Sequence, residues 1–291
     1  MRSGVPLALR RCHLGPMLRL LALLAVLLAT APVSAAPDAE PWSRWQRHDP
    51  AATRSVDHRA WAQFLVRYLR PGADGINRVA YAEVDAAGRA GLDAYLAMLA
   101  QVPVSGLNRA QQKAYWINLY NALTVQLVLA HYPVASIRDI DIAPGLLGNG
   151  PWGAPLVTVE GQELSLDDIE HRILRTAWHD SRLHYALSCA AVGCPNLSPK
   201  PYAAATLERD LDNAAVAFVN HPRGARIEPD GLHVSSLYVW FQDDFGGGEV
   251  GVIGHLMAYA DPALAMRLQA LDGIAGHGYD WSLNDAVPMS R

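Results

Sequence analysis

The stretch from Asn108 to Ala130 limits the possible folds of this chain more than any other. Ala114, Trp116, Ile117, Leu119, Tyr120, Leu123, Val125, Leu127 and Val128 surround a helical axis instead of forming one stripe. A helix that is apolar all round has to be enclosed by the rest of the protein. Asn108 followed by Gln111 resembles a capping box, and His131-Tyr132-Pro133 stops the helix after about six turns. The expected fold is therefore α+β, a single domain with a long buried central helix packed on a small, mostly antiparallel sheet.

Shorter elements supply the enclosing layers. Trp61, Phe64, Leu65, Tyr68 and Leu69 form one helical face between Asp57 and Leu69, and Ala90 to Ala100 predicts a second helix. Leu156 to Glu160 alternates like a strand before Gly161, and Ser165 with Asp168 starts a helix running to about Thr176. A helix from Thr206, a hairpin about Pro229-Asp230-Gly231 and a helix from Ser235 or Ser236 through Phe245 follow. Residues 141–155 are rich in Gly and Pro and include Trp152, which predicts a lid or a wall. Tyr279 to Asn284 reads as a terminal strand returning to the core. No boundary falls within 57–285; 36–56 read as a linker or N-terminal arm and 286–291 as a tail.

The first 35 residues have the pattern of a secretory leader: basic Arg2, Arg10, Arg11 and Arg19, an apolar core from Leu20 to Ala31, and small residues at Val33-Ser34-Ala35. The expected product is periplasmic or secreted, with no stable membrane span once the leader is removed. Without those four Arg, 20 basic face 28 acidic residues, a net charge of −8. Such a balance argues against nucleic acid as a partner. Two cysteines remain, Cys189 and Cys194, and export permits a disulfide between them. They make a poor zinc site even with His171, His179 and His184 near in sequence, because the spacing fits no standard ligand pattern. Neither metal nor cofactor is expected.

Reactive groups concentrate between Arg182 and Ser198. Leu183 to Leu187 has the length of a buried strand. Cys189 then opens a loop of small residues closed by Cys194-Pro195, in which Gly193 permits backbone angles forbidden to other residues. Exposed N–H groups on such a bend can hold an anion or oxyanion. Cys189 is thus placed as a nucleophile, with a structural disulfide and inert packing as the alternatives. On the long helix, Asn118 and Asn121 share a face. They either tie neighbouring loops or, with Tyr115, Trp152 and Gly193, line a substrate pocket.

Ala114-Tyr115-Trp116-Ile117-Asn118-Leu119-Tyr120-Asn121-Ala122-Leu123 resembles the signature helix of domain-of-unknown-function family 547. The resemblance continues at Ile169-Glu170-His171, His184 to Ala190, Gly193-Cys194-Pro195, Trp240 to Phe245 and Tyr279 to Asn284. It implies an exported bacterial protein or a module like the C-terminal one of plant members, and it carries no established activity. Plant members retain the counterpart of Cys189 and lack that of Cys194, which implies a role for Cys189 alone.

The leading expectation is a thiol-dependent hydrolase or acyl transferase acting on an envelope peptide or a similar amide or ester. Cys189 would attack, His184 or His171 would serve as base, and Asp244, Glu170 or Asn118 would orient the imidazole. A papain- or transglutaminase-like arrangement would suit that nucleophile, by analogy alone. A spacing of five on a strand places His184 and Cys189 on opposite faces, so that pairing requires a bend before Cys189. The alternatives are a non-catalytic module binding a small-molecule or peptide ligand against aromatic walls, and a structural or redox Cys189–Cys194 disulfide.

Overall fold

The computed structural model describes Met1, residues 40–143 and residues 150–286. The leader, the first residues of the arm, residues 144–149 of the Gly/Pro-rich loop and most of the tail lie outside the described residues. In chain order, helix α1 (Arg59–Tyr68) leads into a hairpin of β1 (Leu69–Pro71) and β2 (Asn77–Val79). Helices α2 (Ala86–Ala100) and α3 (Arg109–His131) follow, then a hairpin of β3 (Val157–Val159) and β4 (Gln162–Leu164). A π-helical segment, Asp168–Leu174, continues as α4 (Arg175–Trp178) and is followed by α5 (Leu183–Ala186) and α6 (Leu207–Val219). The last part comprises β5 (Ala225–Glu228), β6 (Gly231–Ser235), α7 (Ser236–Trp240), α8 (Gly248–Tyr259), α9 (Pro262–Leu268) and β7 (Gly276–Gly278).

Helix α3 is the centre. Asn108 caps it by accepting the Gln111 N–H at 3.0 Å, and residues from Gln112 to Val125 are buried without interruption. Its enclosure is mainly helical: α2, the π segment and short 3-10 turns lie against it. The fold is α+β, but the strands are shared among three small sheets instead of one. Two are antiparallel hairpins, and in the third β7 joins β6 in parallel. Each hairpin strand is only three to five residues long, too short to form a layer beneath a helix of 23 residues.

Buried side chains fall into two clusters. The larger surrounds α3 and takes in Trp45 from the segment read as an arm, whose ring meets Trp116 edge-on at 5.0 Å. The smaller is built from α6, β5, β6 and α8. Helix α5 joins them: Leu183, Ala186 and Leu187 belong to the larger, and Tyr185 to the smaller.

The run Leu183–Leu187, expected as a strand, is this single helical turn, with Leu187 already extended. An apolar run this short carries no period of its own, so tertiary partners decide. Asp180 accepts the Arg182 N–H at the helix start, and Asn121 donates to the Ala186 carbonyl at its end. The returning C-terminal chain pairs through isolated bridges, Leu283 with Ala191 and Asp285 with Val79. It therefore fastens the cysteine loop to the first hairpin.

Candidate functional site

Asn121 of α3 fixes where the cysteine loop begins. Its Nδ2 donates to the Ala186 carbonyl at 2.9 Å, and its Oδ1 accepts the Ser188 N–H at 2.8 Å. Asn118 does the same for the Tyr202 backbone, at 2.8 and 3.0 Å. Each amide donates once and accepts once in tying loops to the helix. Tyr115 is sealed in the core, where its hydroxyl donates to the Leu99 carbonyl.

Beyond Ser188 the chain turns tightly, and Cys194 returns beneath Cys189. The residue in the left-handed region is Ala190, at φ 59°. Gly193 has a different purpose from the one expected of it: a Cβ there would lie 2.7 Å from the Asp280 backbone nitrogen, so glycine permits close approach. Three of the N–H groups on this bend are already engaged. Val192 donates to Ser282 and Gly193 to Asp280, both at 2.8 Å, and the Cys189 N–H points at the Cys194 sulfur at 2.9 Å. An oxyanion hole from these donors is thereby excluded.

The two cysteines are free thiols with their sulfurs 2.9 Å apart; Cys189 keeps partial contact with solvent and Cys194 is buried. The Tyr279 hydroxyl lies 3.0 Å from the Cys189 sulfur. Adjacent like charges cannot both form cheaply, so at most one of the two sulfurs is ionised. The hydrogen bond to Cys194 and burial push the Cys189 thiol up. Against its own burial, Cys194 is lowered by the Cys189 thiol and N–H, by Tyr279 and by the charge of Arg223.

The expected acid–base residues assemble from the π segment, α5 and the 3-10 turn Gln242–Phe245. His184 presents Nε2 to Asp244 Oδ2 at 2.7 Å, and its Nδ1 faces Glu170 Oε1 at 3.8 Å. The ring is packed on Phe241 and Phe245. Arg175 Nε donates to Asp244 at 2.6 Å, and Tyr120 of α3 donates to Glu170 at 3.0 Å. His171 is buried, 3.3 Å from Arg175 Nη1 and 3.6 Å from Asp167. Burial, then Arg175 and His184, hold its pKa below the ordinary imidazole value. Asp244 is opposed by burial but held below the usual carboxylate range by His184 and Arg175. Asp167 is pushed up to about 6 by burial and by the nearby Glu170 and Asp168. A π segment widens one turn of helix, and this one carries Glu170 and His171 together. Thus His184, Asp244 and Glu170 come together, whereas neither histidine bonds the Cys189 sulfur among the described residues.

Aromatic side chains connect the two groups. Trp281 touches Tyr279, Trp240 and Trp152, with centroids 4.7 to 5.7 Å apart, and each of the four remains half-buried. The Trp152 carbonyl accepts the Asp167 N–H at 3.0 Å, so this shelf runs from the thiols to the carboxylates. Local sequence gave no signal for Tyr279 or Arg175 as site residues, because their partners lie 90 and 69 residues away. Among the described residues, one grouping has metal-ligand geometry, Glu228, Asp230 and His233 on the β5–β6 hairpin, and its carboxylates are exposed.

Together these features define an α+β protein with a paired-thiol site beside a buried imidazole–carboxylate cluster. The model of the family described as "Protein of unknown function, DUF547" matches residues 104–219. Over that segment the chain is similar to this family; the match contains α3, the π segment and the cysteine loop. Comparison with curated proteins and with solved structures returns no match.

Proposed function

We propose that the chain is an exported, periplasmic or secreted thiol protein whose chemistry is reversible dithiol–disulfide exchange at Cys189 and Cys194. One observation carries this reading: two free sulfurs lie 2.9 Å apart, one residue accessible and the other buried. In the exchange, Cys189 gives up its proton and its sulfur attacks one sulfur of a substrate disulfide. A mixed disulfide forms and the other substrate half leaves as a thiolate. Cys194 then attacks the Cys189 sulfur, the mixed bond breaks, and the second substrate thiolate leaves. The two protein thiol protons end on the released thiols, so the protein is oxidised by two electrons and the substrate reduced. The shelf of Trp152, Trp240, Trp281 and Tyr279 gives a peptide or other ligand an aromatic wall beside the sulfur.

The test is a free-thiol count on protein purified without reductant, followed by equilibration in glutathione buffers. Two thiols should interconvert with none as the buffer is made oxidising. Thiols that stay free at every ratio would rule the exchange out.

A second reading is favoured by His184 lying between Asp244 and Glu170, the arrangement of an oriented imidazole. It keeps Cys189 as the nucleophile of an amide or ester hydrolase or acyl transferase, with Cys194 and Tyr279 as neighbouring donors. The two readings separate at Cys194→Ser, which abolishes dithiol exchange but leaves acyl transfer through Cys189 measurable with a generic thioester.

A further inference from the structure

The cysteine loop is also gripped by Arg223, which stands between α6 and β5. Its Nη1 donates to the Val192 carbonyl at 2.8 Å and its Nη2 to Asn196 Oδ1 at 2.7 Å. These acceptors flank Cys194 in the chain. Asn196 Oδ1 also takes the Asn77 N–H, and Asn196 Nδ2 donates to the Gly75 carbonyl. Asn196 therefore links the guanidinium and the loop to the β1–β2 hairpin.

The turn that carries Arg223 has little slack. A Cβ on Gly224 would lie 1.9 Å from the Phe218 carbonyl oxygen. The Arg223 N–H donates to His221 Nδ1, and the other ring nitrogen of His221 meets the Asp74 carbonyl at 2.8 Å. The guanidinium lies over the Phe218 ring at 5.5 Å, and its Nε is buried with no hydrogen-bond partner among the described residues.

Keeping a partly buried cation with an unsatisfied N–H is costly. A carbonyl and an amide oxygen do not require a full charge; a neutral amide would bind them. The charge gains a purpose from the neighbouring sulfurs, since it acts on Cys194 in the direction that favours the thiolate. Tyr81, Tyr120 and Tyr279 also face the pair, but burial keeps these phenols protonated.

We propose that Arg223 is the positioning residue of the thiol pair: its two-point grip on Val192 and Asn196 holds the Cys194 sulfur against Cys189, with a cation beside the loop that carries them. The role rests on the dithiol reading above. The grip controls how readily the second sulfur closes on the first, and the charge controls the pH at which the pair loses its first proton.

Two variants of the full-length protein separate these duties. Arg223→Gln removes the charge, and the midpoint of the ultraviolet thiolate absorbance should rise by about one pH unit, a tenfold loss of thiolate below the midpoint. Arg223→Lys keeps the charge but not the two-point grip. Its thiolate midpoint should match wild type, while the rate at which Cys194 resolves a glutathione mixed disulfide on Cys189 should fall by about tenfold. A folded glutamine variant with the wild-type midpoint overturns the proposal, as does a lysine variant that resolves at the wild-type rate; should the glutamine variant not fold, the lysine arm decides. Wild type that forms no reversible disulfide refutes the dithiol reading instead. The thiolate titration still reports on Arg223 in that case, because it needs only the two thiols.

Discussion

Asp244 accepts from Arg175 at 2.6 Å and faces His184 Nε2 at 2.7 Å, so a single carboxylate organises a guanidinium and an imidazole that are nearly inaccessible. Asp244→Ala would leave both groups without that partner. With the Asp244 side chain 27% exposed, the loss should be about 2 kcal/mol, below the range for fully buried pairs. Because its folded pKa is depressed, this contribution is present above the unfolded carboxylate value and fades as pH falls through the folded one. Urea unfolding near neutrality should show the deficit, and an unchanged midpoint would contradict the role. Asp167 is the opposite case. Its carboxyl is pushed up to about 6 by burial and by Glu170 and Asp168, so its charged form opposes folding once pH exceeds the unfolded value. Asp167→Asn should stabilise the protein by about 1 kcal/mol near pH 7.5, discounted for exposure, and by nothing near pH 3. Equal melting shifts at both pH values would show that charge is not the cause.

Helix α3 shows what an element can reveal before its neighbours are known. Its all-round apolar pattern and Asn108 cap are local properties, and the helix lies within a residue of its expected bounds. The two asparagines were legible as one face, but their partners were not: the Ala186, Ser188 and Tyr202 backbones lie 65 to 84 residues away. Helix α5 was misread for the same reason, since five apolar residues fit a strand or a turn of helix equally and Asn121 selects the helix. His184, Asp244 and Glu170 could be named as site residues by type, whereas Tyr279 and Arg223 depend on how the chain returns. At this scale, Asn121→Ala strands a buried carbonyl and a buried N–H and should cost about 2–4 kcal/mol. It should also loosen the thiol pair, so that alkylation of Cys189 no longer responds to Cys194→Ser as it does in wild type. Asn118→Ala should cost similar stability without that effect, because its partner is Tyr202. Identical thiol kinetics in the two variants would contradict this division.

Across the whole molecule, each hydrophobic cluster contains a histidine that burial keeps neutral. His58 sits beside Tyr95 of the larger cluster, whose hydroxyl lies 2.6 Å from His58 Nδ1. His255 lies against Phe245 and Tyr185 of the smaller one, 2.7 Å from the Tyr185 hydroxyl. Burial lowers each to about 4 from an ordinary 6.5. The unfolded chain therefore binds more protons than the folded one between those values. Stability is complete above the unfolded value and declines as pH falls toward the folded one. Each ring should account for about 2 kcal/mol of that decline after allowance for partial solvent contact. His58 bonds Tyr95 whereas His255 bonds Ser181 and Tyr185, so their contributions should add. His58→Gln and His255→Gln should each flatten about half of the slope of unfolding free energy between about pH 6.5 and 4, and the double variant most of it. Chemical denaturation at several pH values measures this directly. A double variant as acid-sensitive as wild type would move the origin of the slope to His171, which burial also lowers, since Asp74, Asp180 and Asp244 are held low by their cationic partners.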